Sequence, residues 1–354
     1  PAADRRHFLR VAVSMAAVAG VSAVAGRLLA GRQRVSAIRA AVKVPLPKRS
    51  APAAPAGAQL DVPGITPLYI PNRSFYRIDT ALSVPQVDTA NWSLRVRGAV
   101  ARPLQFSYDE LLAMPQIEAD ATLSCVSNEV GGDLVGNARW QGVALRDLLD
   151  RAGVQPAGTQ IMGRSVDGFT AGFPTQIGLQ QPDAMVALVM NGEPLPARHG
   201  FPARLVVPGL YGYVSATKWL SSIDLVDFDA NDGYWIRRGW SKLGPIKTQS
   251  RIDVPGRSIP AGRTPVAGVA WAPTRGISKV EVSIDEGAWQ QARLAEALSV
   301  ETWRQWVYEW DATPGQHVIS VRASDGTGEV QTAEESNVAP SGATGHHTIR
   351  VDVS

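Results

Sequence analysis

Hydrophobic and polar positions change their period along the chain, and the change divides it. Trp92 to Val96 alternates apolar and polar, which predicts a strand. Ser107 followed by Glu110 is a capping-box signature for a short helix through Leu111 and Leu112 that Pro115 stops. Leu145 to Ala152 carries apolar residues at helical spacing, with Gly153 placed as a C-cap. The rest of residues 68–243 reads as short strands broken by Gly and Pro, the texture of an irregular α+β domain. From residue 244 to 354 period-two strands dominate. Lys279 to Ile284 runs into Asp285-Glu286-Gly287 and out through Trp289, a hairpin pattern, and further strands are expected over Gln316–Ala323 and His347–Val353. An all-β sandwich resembling an immunoglobulin domain without its disulfide is the economical reading of this half. Its Trp271, Trp289, Trp303, Trp306 and Trp310 are expected mostly as core or interface anchors.

Two N-terminal segments stand apart. Residues 11–26 (VAVSMAAVAGVSAVAG) carry no charge, and with Phe8, Leu9 and residues 28–31 added, and Arg10 and Arg27 snorkelling, a thin membrane span becomes feasible. Arg5-Arg6 ahead of Phe8-Leu9-Arg10 resembles a twin-arginine export signal; a basic flank obeying the positive-inside rule is the alternative. Residues 1–42 are therefore expected as an export motif and a retained anchor, with the globular domains on the extracytoplasmic side of a cell membrane. Residues 43–67, rich in Pro and Ala, read as a semi-rigid extended linker.

The formal charge of +3 misleads until it is placed. Residues 1–50 hold ten Lys/Arg and one acid, so the remainder carries −6. A mildly acidic body is a poor phosphate-backbone binder, which sets nucleic acid aside and assigns the basic segment to membrane lipid. The single cysteine excludes a disulfide framework, iron–sulfur clusters and all-cysteine zinc sites. Cys125 ends a stretch read as a strand and enters a Gly/Asn-rich turn, Ser127-Asn128 with Gly131-Gly132. These local features leave two readings open: a packed structural thiol, or a thiolate held on a rigid support where backbone can approach a bulky ligand.

Downstream, Met190-Asn191-Gly192-Glu193-Pro194-Leu195-Pro196 is followed by His199-Gly200-Phe201-Pro202 with Arg204, then Pro208-Gly209, then Lys218-Trp219-Leu220. This ordered set resembles the molybdopterin domain of the sulfite-oxidase superfamily over about residues 65–354. The resemblance implies a sulfite-oxidase fold followed by an Ig-like domain through which such chains can form homodimers. It implies a molybdenum–molybdopterin cofactor with Cys125 as metal ligand. Tyr76, Arg77, Asp167, His199, Arg204, Thr217 and Lys218 are its implied cofactor contacts, and Tyr211 and Tyr213 are candidate pocket hydroxyls beside the catalytic Cys125.

The chain also departs from that pattern. Asp79 and Val130, with Glu129 adjacent, align where anion-binding arginines of sulfite oxidases would stand. An acid-lined, apolar surface lacks the charge-assisted bonds a small dianion requires, so a neutral sulfoxide, N-oxide or similar oxygen-atom donor or acceptor is expected. One cysteine and no C-x-x-C-H imply a separate membrane haem or quinone partner for electrons. The rival readings are a cofactor-binding but idle protein and a non-enzymatic β-sandwich binding module.

Overall fold

The structure, a computed structural model, describes residues 31–354. The expected export motif and the apolar run 11–26 lie outside the described residues. Among the described residues no helix is long and apolar enough to cross a membrane.

The first domain rests on two mixed-length sheets. In one, Gln116–Ser124 pairs antiparallel with Val135–Ala144, which pairs with Met185–Met190; Glu193–Pro194 and Arg204–Val206 complete it on the far side. Met185–Met190 is buried along its whole length, as an unbroken apolar run in a central strand should be. In the other, Ser93–Gly98 pairs in parallel with Leu220–Val226, and Leu104–Ser107, Gln160–Ser165 and Thr170–Pro174 extend it.

Short helices pack against these sheets. Tyr108–Ala113 starts on a complete capping box: Ser107 Oγ accepts from the Glu110 N–H at 3.2 Å and the Glu110 carboxylate accepts from the Ser107 N–H at 2.7 Å. Leu145–Ala152 buries Leu145, Leu148, Leu149 and Ala152 and ends on Gly153, whose φ of 67° only glycine adopts without strain.

The second domain is a sandwich. One sheet runs Gln249–Val254, Gly262–Trp271, Arg304–Ala312 and Arg293–Leu294; the other runs Ser258–Ile259, His347–Val353, Gly315–Asp325, Ile277–Ile284 and Gln290–Gln291. Val266, Ala270, Trp306 and Trp310 from the first meet Val280, Val282, Ile319, Val321 and Val351 from the second in one core. The hairpin after Ile284 turns on Asp285 and Glu286, both at positive φ, while Gly287 closes it by donating to Ile284 O at 2.9 Å. The left-handed positions are thus the two acids, with glycine following them.

The joint between domains is built, not merely touched. Trp303 donates its backbone N–H to Thr122 Oγ1 at 2.7 Å and its indole N–H to Leu68 O at 2.9 Å. Gln305 accepts from Leu60 N–H at 2.6 Å and donates to Thr66 O at 2.7 Å. Val269, Trp271 and Trp303 belong to the first domain's core.

Residues 43–67, expected as a linker, are held against the body. Gln141 donates to Pro45 O at 2.8 Å, Lys48 donates to Gln116 O and Glu118 donates to Arg49 O, both at 2.8 Å, and Arg139 donates to Pro52 O at 3.0 Å. Pro and Ala predict an extended path; the partners that fix it are long-range and invisible in composition.

Candidate functional site

Cys125 is the first residue beyond the strand Gln116–Ser124. Its N–H donates to Leu134 O at 2.9 Å, its carbonyl accepts from Asn128 N–H at 3.1 Å, and the Asn128 side chain accepts from Leu134 N–H at 2.7 Å. The turn is thus fixed by its own polar groups. The sandwich braces it from behind, where Arg251 donates to Gly132 O at 2.8 Å. Burial pushes the Cys125 thiol up; donors from Ser127 and Val126 and the charge of Lys218 oppose that by favouring the thiolate.

The thiol opens into a cleft that is partly open to solvent. Of the residues expected there, Tyr76, Cys125, Asp167, Arg204, Tyr213 and Lys218 line it. Tyr76 stacks on Phe75 with centroids 5.2 Å apart.

Arg204 is the most telling. Its side chain is buried, lies over the Trp140 ring at 5.0 Å, and reaches only the carbonyls of His199 and Leu205, at 3.3 and 3.4 Å. It has no carboxylate partner among the described residues. Burial lowers its pKa to about 10, so it stays charged at neutral pH. His199 donates from Nε2 to Asn72 O at 2.8 Å, since a carbonyl can only accept; Nδ1 is left buried with no partner. Burial, reinforced by Arg204 and Lys218, holds its pKa down at about 3, so the imidazole is neutral. Thr217 Oγ1 is likewise buried and unpartnered; it lies where a side chain on Gly163 would collide with it at 2.5 Å. An unpaired buried cation beside two orphaned polar atoms is incomplete as protein and complete only with an anionic, hydrogen-bonding ligand.

Lys218 differs. It donates to Asp79 at 3.1 Å, and the same carboxylate takes a two-pronged pair from Arg77 at 2.7 and 3.1 Å. Burial alone would raise the Asp79 pKa, but these two cations hold it below the usual carboxylate range. Burial and neighbouring Arg204 lower Lys218 to about 8, with Asp79 opposing. Trp219, next in the chain, is buried at a left-handed φ of 47°, a strained conformation that fixes how Lys218 enters the cleft.

Residues 81–235 match the family described as oxidoreductase molybdopterin binding domain. The chain is 30% identical to human mitochondrial sulfite oxidase over 306 residues, 73% of this chain and 56% of that one, so it spans about half the length of the mammalian enzymes it matches. It is 34% identical over 157 residues, 44% of this chain and 76% of the other, to YuiH, an uncharacterized oxidoreductase of Bacillus subtilis. The chain belongs to the molybdopterin-binding oxidoreductases of the sulfite-oxidase superfamily. The crystal structure of the sulfane dehydrogenase SoxCD from Paracoccus pantotrophus superposes with a TM-score of 0.72 over 81% of this chain and 82% of that one at 24% identity, a likeness of fold.

The cofactor of this family is molybdenum–molybdopterin, and the orphaned set fits it: Arg204, His199 Nδ1 and Thr217 Oγ1 offer charge and hydrogen bonds to an anionic pterin, and Cys125 offers a soft thiolate to the metal.

Four expected residues sit elsewhere than in the cleft wall. His199 and Thr217 are buried immediately behind the lining: Thr217 stands between the lining residues Ala216 and Lys218, and the His199 carbonyl accepts from Arg204 at 3.3 Å. Arg77 is spent on Asp79. Tyr211 lies beneath the sandwich at Gly342, its hydroxyl accepting from Lys247 N–H at 3.4 Å. Tyr213 lines the cleft, but its hydroxyl donates to Ser241 O at 2.6 Å. Tyr213 thus has its proton engaged, and Tyr211 is not on the cleft wall. The expected acid lining is also narrower than the sequence implied: Asp79 and Asp167 line the cleft, whereas Glu129 is exposed and Val130 lies beside Gly345 of the sandwich. Sequence reading missed Phe169, Trp235 and Trp240, which line the cleft as well. The two tryptophans flank Gly239 in Trp235-Ile236-Arg237-Arg238-Gly239-Trp240, and that spacing around a turn glycine was the available signal.

Proposed function

We propose that this chain is an oxidoreductase that transfers an oxygen atom to or from an uncharged acceptor or donor, such as a sulfoxide or N-oxide, and that sulfite is not its substrate. The observation that carries this reading is Asp79. By holding both Arg77 and Lys218, its carboxylate removes two cations from the service of an incoming anion. Arg204 remains unpaired, but it is buried beside the orphaned groups that fit the cofactor. A dianion entering this cleft loses its hydration without gaining a free charge-assisted partner, which disfavours it strongly.

When bound, the cofactor supplies a two-electron centre able to give or take an oxygen atom. The chain's own residues do the rest. Cys125 would hold the metal through its thiolate, which the Ser127 and Val126 donors favour against the upward push of burial. Arg204 would orient the anionic pterin, Thr217 Oγ1 and the Nδ1 of neutral His199 would offer it hydrogen bonds from behind the lining, and the aromatic side chains of the cleft would restrict water.

Each turnover on a sulfoxide consumes two electrons and two protons and releases water. With one cysteine, these 354 residues hold no cluster-binding set, so a separate haem or quinone protein is the proposed donor, and the N-terminal apolar segment is proposed to keep the domain at the membrane where such a donor resides. The test is steady-state kinetics of the metal-loaded protein: reduced-dye oxidation with sulfoxides and N-oxides, and dye reduction with sulfite. Turnover of the neutral compounds with sulfite at background is expected; efficient sulfite oxidation overturns the reading.

A further inference from the structure

Trp235 and Trp240 are unlike the tryptophans of the two cores. Trp140, Trp219, Trp271, Trp303 and Trp306 are fully buried, whereas these two are half-buried and line the Cys125 cleft. Each packs one side against the first domain's core and leaves the other on the cleft wall, where a large apolar surface stays in water.

The chain spends several interactions to place them. The segment doubles back through a 3₁₀ turn, Ile236–Arg238, with Arg238 N–H donating to Trp235 O at 2.9 Å and Trp240 N–H to the same oxygen at 3.3 Å; Gly239 makes the return at φ 90°. One end is pinned where Tyr234 N–H donates to Thr170 O at 2.9 Å, the other where Ser241 N–H donates to Pro340 O at 3.0 Å. The Tyr213 hydroxyl adds its bond to Ser241 O. The result is a continuous aromatic wall: Trp235 and Trp240 meet at 6.2 Å and 75°, and Tyr213 meets Trp240 at 5.9 Å and 51°. Rings already in mutual edge contact leave no box between their faces for a cation, so they offer surface for an apolar or aromatic group to lie upon.

We infer that Trp235, Trp240 and Tyr213 form a subsite for an uncharged aromatic substituent of the substrate, lying against the wall while the oxygen-bearing atom faces Cys125's end of the cleft. The inference rests on the uncharged-substrate reading above. It adds that selectivity among neutral compounds comes from this wall.

The experiment uses the metal-loaded protein and two inert probes, methyl phenyl sulfone and dimethyl sulfone, titrated by calorimetry. The expected result is that the phenyl compound binds at least about tenfold more tightly, that Trp240→Ala and Trp235→Ala each reduce that ratio to about threefold or less, and that Trp240→Phe retains most of it. Near-native melting temperatures for the Phe variant separate loss of the wall from loss of fold. An unchanged ratio in both Ala variants, or no phenyl preference in the parent protein, overturns the inference. Dye-linked turnover of methyl phenyl sulfoxide against dimethyl sulfoxide separates the two claims. A phenyl preference in binding without turnover of either sulfoxide defeats the oxygen-transfer reading and leaves the subsite standing. Equal kcat/KM for both sulfoxides in every variant defeats the subsite and leaves oxygen transfer standing.

Discussion

Arg204 and Arg251 are both buried arginines, one in the cleft of the first domain and one in the sandwich, and they are finished in opposite ways. Arg251 bonds Asp253 at 2.7 Å, Gly132 O at 2.8 Å and Thr66 Oγ1 at 2.7 Å, so its charge and its donors are consumed within the protein. Arg204 has two long contacts to carbonyls and no acid among the described residues. Burial of a guanidinium costs several kcal/mol unless it is paired, so the second arrangement persists only where something outside the chain completes it. The comparison separates a charge that holds the fold from one kept in waiting for a ligand, although their degree of burial is similar.

The sharpest way to break that distinction is to remove each charge. Arg251→Met is expected to cost roughly 3–5 kcal/mol, because Asp253 is left buried without its partner. Arg204→Met is expected to leave the cofactor-free protein at least as stable as the parent while losing bound molybdopterin. Chemical denaturation of both variants together with cofactor analysis checks the pair, and equal destabilisation would erase the contrast.

Cys125→Ser tests the cleft alone. A harder oxygen of similar size should lower turnover by more than about 100-fold and leave the melting temperature of the cofactor-free protein unchanged. Retained activity would remove Cys125 from the site.

On the sandwich side, Asp325 accepts from Arg275, Thr248, Thr327 and the Glu329 N–H, and these donors outweigh the upward push of burial to hold its pKa at about 2. Because the folded value is depressed, the stability it adds is complete above the ordinary carboxylate pKa and is lost as pH falls from about 4 towards 2. Asp325→Asn should cost about 2–3 kcal/mol at neutral pH and flatten that acid limb, as followed by denaturation between pH 2 and 7. The smallest effect is expected at the boundary between the two kinds of charge. Asp79→Asn should release Lys218 and Arg77 and lower the inhibition constant of sulfite or sulfate by about tenfold, a single charge-assisted bond's worth. An unchanged anion affinity would mean that those cations face away from the substrate.

Much of this was legible in the chain because local rules govern it. Ser107 with Glu110, Gly153 and the strand over His347–Val353 each encode their element within a few residues, and the ordered motifs from Met190 to Lys218 carry the family. What was not legible depends on partners far away in sequence. Nothing local tells that Arg77 and Lys218 share Asp79, 139 residues apart in the longer case. Nothing local tells that the Tyr213 hydroxyl donates to Ser241 O or that Tyr211 lies off the cleft, where its hydroxyl accepts from Lys247 N–H. The half-buried state of Trp235 and Trp240 follows from a loop pinned to Thr170 and Pro340, and sequence assigns no burial to a loop tryptophan.

Trp303 and Gln305, whose bonds reach Thr122, Leu68, Leu60 and Thr66, also limit how this architecture can change by recombination. A crossover near residue 244 would join two sequences at the visible change of texture, yet it would sever those matched donors and acceptors together with the packing of Trp271. A viable chimera has to inherit residues 60–68, 122 and 303–305 from one parent, so the inherited block is discontinuous along the gene even though it is contiguous in space.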